Sequence, residues 1–154
     1  MSPTVIGFIR TSLLSLVVGV VLGVLIALGV FSGATNPVLI TSAHAHASLL
    51  GAVMMLIFGV GYHILPRFSG RPLYSESLAT VQLWINIAGL TGMVVMFLIG
   101  GYSSSDLLKF GVAPFGALYA IGALLFFVNM WRTLSGAMPA PMPPRPASKP
   151  PKTD

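Results

Sequence analysis

The sequence predicts an all-α membrane protein with four transmembrane helices, and three observations carry that prediction. Mean hydropathy is +0.91. Hydrophobic residues make up 55% of the 154 residues and charged residues only 7%, too few to clothe a water-soluble domain of this size. Apolar runs near or above the roughly twenty residues that cross a bilayer occur four times. The chain therefore reads as one polytopic domain in a lipid bilayer, over residues 1–134, followed by a tail over 135–154. The formal net charge of +5 is scattered over connecting segments, so nucleic-acid binding is not expected. Cysteine is absent, which excludes disulfides, thiolate clusters and covalent c-type haem attachment.

The first span is expected at about residues 13–31. Arg10 precedes it as the n-region of a signal peptide would, and Ser32 and Ala34 would suit a cleavage site, but the apolar run is long for an h-region. Ser15, Gly19 and Gly23 recur at four-residue spacing. They either form a face for close helix packing in lipid or reflect the ordinary abundance of glycine in membrane helices. The second span is expected at about 37–65, opened by Asn36 as a capping side chain and Pro37 at the first helical position. It is closed by "LPRFSGRP" with Pro66 and Pro72. The third, at about 78–99, follows Ser75 as N-cap and Glu76 in the first turn. The fourth, at about 112–131, tolerates Pro114 near its start. After Arg132, "MPAPMPPRPASKPPKTD" carries three basic residues and reads as a disordered polyproline-like tail or a proline-motif docking segment.

Lys and Arg set the orientation. If the spans alternate, Arg10, Arg67, Arg71, Arg132, Arg145, Lys149 and Lys152 share one side and Lys109 alone takes the other. Both termini are then expected in the cytoplasm, with the second helix running inward from the outer face.

The residues that stand out are in "TSAHAHASLLGAV", residues 41–53. At about 100° per residue, His44 and His46 project about 200° apart at nearly one depth. They cannot chelate a single metal ion as an i, i+4 pair can, but they can serve two sites on opposite flanks of one helix. Ser48, Gly51, Met55 and Tyr62 lie near the His44 direction, where Ser48 and Gly51 would leave room for a flat group. Leu50, Val53, Ile57 and Ile64 near His46 would form an aliphatic wall. Haem asks for such surroundings, an imidazole for iron and apolar slabs for the macrocycle. The competing reading is two buried histidines hydrogen-bonded between helices. His63 lies roughly 25–28 Å deeper and reads as an interfacial residue beside Tyr62. Gln82, Asn86 and Asn129 read as interhelical hydrogen-bond partners, with a quinone head group near Gln82 as the alternative.

"AHAHASLLGAVMMLIFGVGYHILPRFSGRPLYSESLATVQLWINIAGL" resembles the tenth and eleventh helices of haem-copper oxidase subunit I. "FFVNMWRTL", residues 126–134, resembles the close of that family's last helix, and "TSAHA" also resembles the low-spin haem segment of its second. The resemblance implies that His44 and His46 are haem-iron ligands, the first matching the active-site haem ligand and the second the low-spin one. It implies a bacterial-type inner (cytoplasmic) membrane. It departs at the copper site, whose three further histidines are missing, so no copper is expected, nor oxygen reduction by this chain alone. The family's subunit resembles three four-helix arcs about a pseudo-threefold axis. One arc per chain implies a homotrimer, with a b-type haem held between His44 and His46 of adjacent copies. The expected function is electron transfer to a redox partner or quinone. The alternatives are a five-coordinate haem that binds nitric oxide or oxygen, and a haem-free structural or assembly subunit of a respiratory complex.

Overall fold

The computed structural model of the protein describes residues 1–103 and 106–135. Within them the chain forms four helices: α1 (Pro3–Ala27), α2 (Pro37–Phe68), α3 (Glu76–Gly101) and α4 (Asp106–Ser135). Each contains a stretch long and apolar enough to cross a membrane. The four-span, all-helical architecture expected from sequence is the one observed, and no strand occurs among the described residues. The Pro-rich segment lies outside the described residues from 136 onward.

α1 begins at Pro3, not at residue 13. The Ser2 side chain accepts from the Val5 N–H at 3.4 Å and Pro3 fills the first helical position. Arg10 therefore sits inside the helix on its exposed side. The helix stops at Ala27 because Gly29, at φ +71°, turns the chain left-handed. Its N–H and that of Val30 then satisfy the carbonyls of Ile26 and Leu25. Gly70, at φ +65°, closes α2 in the same way, with Gly70 N–H on Arg67 and Arg71 N–H on Pro66. Pro66 thus lies within the last turn of α2 instead of ending it.

One cap and one proline position differ from expectation. The Asn36 side chain makes no cap bond; instead its backbone N–H donates to the Gly101 carbonyl at 2.9 Å, tying the start of α2 to the end of α3. Pro114 lies well inside α4, where its missing N–H removes one i→i−4 bond. Ser75 does cap α3, accepting from Leu78 N–H at 3.1 Å.

The beginnings of α1 and α3 and the ends of α2 and α4 gather at one end, here called the basic end. Thr4 and Thr80 hydroxyls meet there at 2.8 Å, and Arg132 lies over the Tyr74 ring at 5.5 Å. Asn129, fully buried, donates to the Ser75 carbonyl at 2.8 Å and accepts from its N–H at 3.1 Å. Tyr62 donates to the Gln82 side-chain carbonyl, and Asn86 to the Tyr119 carbonyl at 3.1 Å. The three buried amides are therefore the interhelical partners expected. Around them pack Phe8, Met55, Phe58 and Tyr62, with Phe126 at their edge.

Residues Ala47–Met54 of α2 are π-helical, a feature with no sequence forecast. Two hydroxyls from neighbouring helices hold this stretch. Ser12 donates to the Ala52 carbonyl at 2.6 Å and Tyr119 to the Leu50 carbonyl at 2.8 Å. An i→i+5 ladder advances fewer degrees per residue than an α-helix, so side-chain directions counted at 100° fail beyond residue 47.

Candidate functional site

His44 and His46 lie in the last α-helical turn of α2 before the π-helical segment. The His44 ring turns toward α1, where its Nδ1 is 2.8 Å from the Gly19 carbonyl. The His46 ring turns the other way and lies 4.8 Å from the Phe97 ring of α3, at 47°. Its Nδ1 is 2.8 Å from the Ser42 carbonyl of its own helix. The two imidazoles are thus on opposite flanks of α2, as the angle argument required.

Both bonds fix a tautomer. A carbonyl oxygen only accepts, so in each neutral ring the proton resides on Nδ1 and Nε2 presents its lone pair. A carbonyl on the far ring nitrogen is the usual support for a metal-bound imidazole, since it sets both the ring plane and the ligating nitrogen. Both rings are half-buried, between full enclosure and open lipid.

The small residues of α1 explain the His44 position. A Cβ on Gly23 would stand 2.9 Å from His44 Cε1 and 3.2 Å from Nδ1. Glycine there lets the ring lie flat against the helix. One turn earlier Gly19 accommodates the Ser48 hydroxyl, and Ser15 faces Gly51 so closely that a Cβ on Gly51 would be 2.5 Å from Ser15 Cβ. Close packing is therefore what the Ser15, Gly19, Gly23 spacing serves.

That packing corrects an expectation. The room foreseen beside Ser48 and Gly51 for a flat group is filled by α1 of the same chain. Of the foreseen aliphatic wall near His46, Val53 and Ile57 are about half exposed, and Phe97 of α3 is the ring that packs on His46. Phe97 lies fifty-one positions along the chain (97 − 46) and carried no local signal; Gly19 and Gly23 did, through their spacing.

His63 stands near the basic end. Arg67 Nη1 donates at 2.6 Å both to its Nδ1 and to its carbonyl. Among the described residues, no group of three or more His, Cys, Asp or Glu is gathered to hold a metal ion.

The chain is thus a four-span helical membrane protein with two oppositely directed, Nδ1-tethered imidazoles, and comparisons with known proteins give its family. The family "Cytochrome C and Quinol oxidase polypeptide I" matches residues 1–138, and the chain belongs to it. It is 27% identical over 124 aligned residues to the Cbb3-type cytochrome c oxidase subunit CcoN1 of Stutzerimonas stutzeri, covering 65% of this chain and 26% of that protein. It is 30% identical over 121 to the cytochrome c oxidase subunit 1 of Rhodobacter capsulatus, covering 62% of this chain and 22% of that protein. The chain thus spans about a quarter of the length of these relatives. No solved structure matches it significantly.

Proposed function

We propose that the chain is a b-type haem protein acting in electron transfer, with iron ligated by Nε2 of His44 and Nε2 of His46. The observation that carries this reading is the pair of Nδ1–H bonds to the Gly19 and Ser42 carbonyls, which leaves both Nε2 atoms as ligand-ready lone pairs. Membership of an oxidase subunit I family supports haem as the group. Bound haem would supply a one-electron couple; the chain's own part is to orient the imidazoles through the tethering carbonyls.

Because α2 itself stands between the two rings, a doubly ligated iron requires His44 of one copy and His46 of another. A closed head-to-tail homotrimer satisfies that requirement in every interface. The outer half of α2 offers the contact, since Thr41 and Leu49 are exposed beside the half-buried Ser42 and Ala45. The reading also places the chain in a bacterial inner membrane with the basic end, and both termini, in the cytoplasm. Its electrons pass to a redox partner or a quinone.

The test is the visible spectrum of the full chain expressed with haem, together with haem stoichiometry and oligomer mass in detergent. Sharp reduced α and β bands at one haem per interface are expected. His44→Ala and His46→Ala should each abolish them, and His63→Ala should not. A carbon monoxide shift would identify a five-coordinate haem and the gas-binding alternative. A colourless preparation, or a pigmented monomer with doubly ligated iron, would overturn the proposal.

A further inference from the structure

The basic end holds a cavity that electron transfer at the histidine pair does not use. We propose that it binds the head group of an acidic phospholipid, a phosphate diester whose acyl chains run down the adjoining surface of α2. The cavity measures about 340 Å³, and its lining includes Ser2, Tyr62, His63, Arg67, Arg71 and Glu76. Two guanidinium groups against one carboxylate make its formal charge positive with His63 neutral.

Arg71 is fixed in place on both sides. Its backbone N–H closes the end of α2 on Pro66, and its Nη1 donates to the Leu134 carbonyl. Its Nε–H, however, is buried without a partner among the described residues. A charged donor already withdrawn from water is costly to leave unpaired, and a phosphate oxygen is the acceptor that a guanidinium edge fits. Arg67 spends Nη1 on His63, and the rest of its fork has no partner among the described residues.

A second cavity of about 450 Å³ shares His63 and Arg67 with the first and continues along Ile64 and Phe68. Phe68 is 85% exposed and Ile64 37%, so this side is an apolar surface open to the bilayer. A polar, positive cavity thus meets an apolar one at the same two side chains. That polarity step matches an amphiphile with an anionic head. Free phosphate would use the first cavity and leave the second unexplained, and an uncharged head group would leave the excess positive charge unexplained. Basic pockets at the membrane surface draw acidic lipids through the same electrostatics.

The test is native mass spectrometry of the full chain from detergent, titrated in parallel with phosphatidylglycerol, phosphatidylcholine, ubiquinone and inorganic phosphate. One phosphatidylglycerol per chain is expected to persist at collision energies that strip phosphatidylcholine. Arg67→Gln and Arg71→Gln should each weaken it roughly five-fold, the loss expected of one arginine at a lipid surface. Helix content by circular dichroism should be unchanged. Arg67 is exposed and, among the described residues, bonds only within α2, so its variant carries the test even if Arg71→Gln unfolds. Equal retention of phosphatidylcholine, undiminished phosphatidylglycerol binding by Arg67→Gln, preferred retention of the quinone, or displacement of the lipid by equimolar phosphate would each overturn the proposal. The result stands apart from the haem spectrum, because no residue of this cavity is a proposed iron ligand.

Discussion

His44 Nδ1 lies 2.8 Å from the Gly19 carbonyl, so a main-chain oxygen of α1 sets the ring of a side chain on α2. Backbone geometry, which substitution at Gly19 cannot delete, holds the imidazole in a single tautomer. What substitution can disturb is the ring's seat.

Gly23→Ala places a methyl 2.9 Å from His44 Cε1. The ring must tilt off α1 or the helices must part, at an expected cost of about 1–3 kcal/mol, the usual penalty for overpacking. Thermal unfolding in detergent measures it. Gly33→Ala, where a Cβ would meet nothing within 4 Å, is the neutral control; an equal loss from both would refute a specific seat at Gly23. If iron is bound as proposed, Gly23→Ala also broadens its low-spin bands.

Gly89→Ala tests the contact between α3 and α4. Its Cβ would stand 2.8 Å from Tyr119 N and 2.9 Å from the Phe115 carbonyl. Backbone cannot rotate aside as a side chain can, so the expected loss is at least about 2 kcal/mol, toward the upper part of the overpacking range. Unfolding midpoints close to those of the parent would contradict so close an approach of α3 and α4 at Gly89.

Asn129→Ala deprives the Ser75 N–H of its side-chain acceptor and leaves the Ser75 carbonyl with the Ala79 N–H as its donor. The expected destabilisation is about 1–3 kcal/mol, chiefly for the Ser75 N–H left unsatisfied. Hydrogen exchange should speed first at the turn before α3, where those groups lie, and a uniform change along all four helices would argue against this assignment.

Tyr119→Phe and Ser12→Ala each remove one hydroxyl from the π-helical carbonyls of Leu50 and Ala52. Each should cost about 0.5–1.5 kcal/mol, and the double variant should cost more than the sum, since the two hydroxyls brace one segment. Exchange rates of amides 47–54 report the effect. Simple additivity would indicate that each hydroxyl acts alone.

The sequence carried the four spans because lipid demands long apolar runs whatever their detailed packing. The Ser75 cap was legible because its geometry is local, and so was the opposed direction of His44 and His46, which are too close in the chain for helix irregularity to accumulate. The start of α1 was obscured by Arg10, whose charge breaks the apolar run without breaking the helix. The environment of Ser48 and Gly51 was not legible for a different reason. Small residues signal close approach, but whether a cofactor or a neighbouring helix makes that approach is decided by tertiary contacts. Here α1 makes it. Phe97 beside His46 was beyond reach, since it arrives from another helix.

The π-helical stretch has a mechanical meaning for the molecule. α2 behaves as two coaxial rods set at different clock angles, with residues Ala47–Met54 as the coupling between them. The histidine half and the Tyr62 half are each aligned to their own neighbours, and neither alignment follows from the other by straight helical counting. Removing one residue from the coupling would leave both halves helical yet turn one against the other, so that the imidazoles or the basic end, but not both, could keep their present partners. Insertions and deletions in this short stretch should therefore be far less tolerated than substitutions on its lipid-facing side.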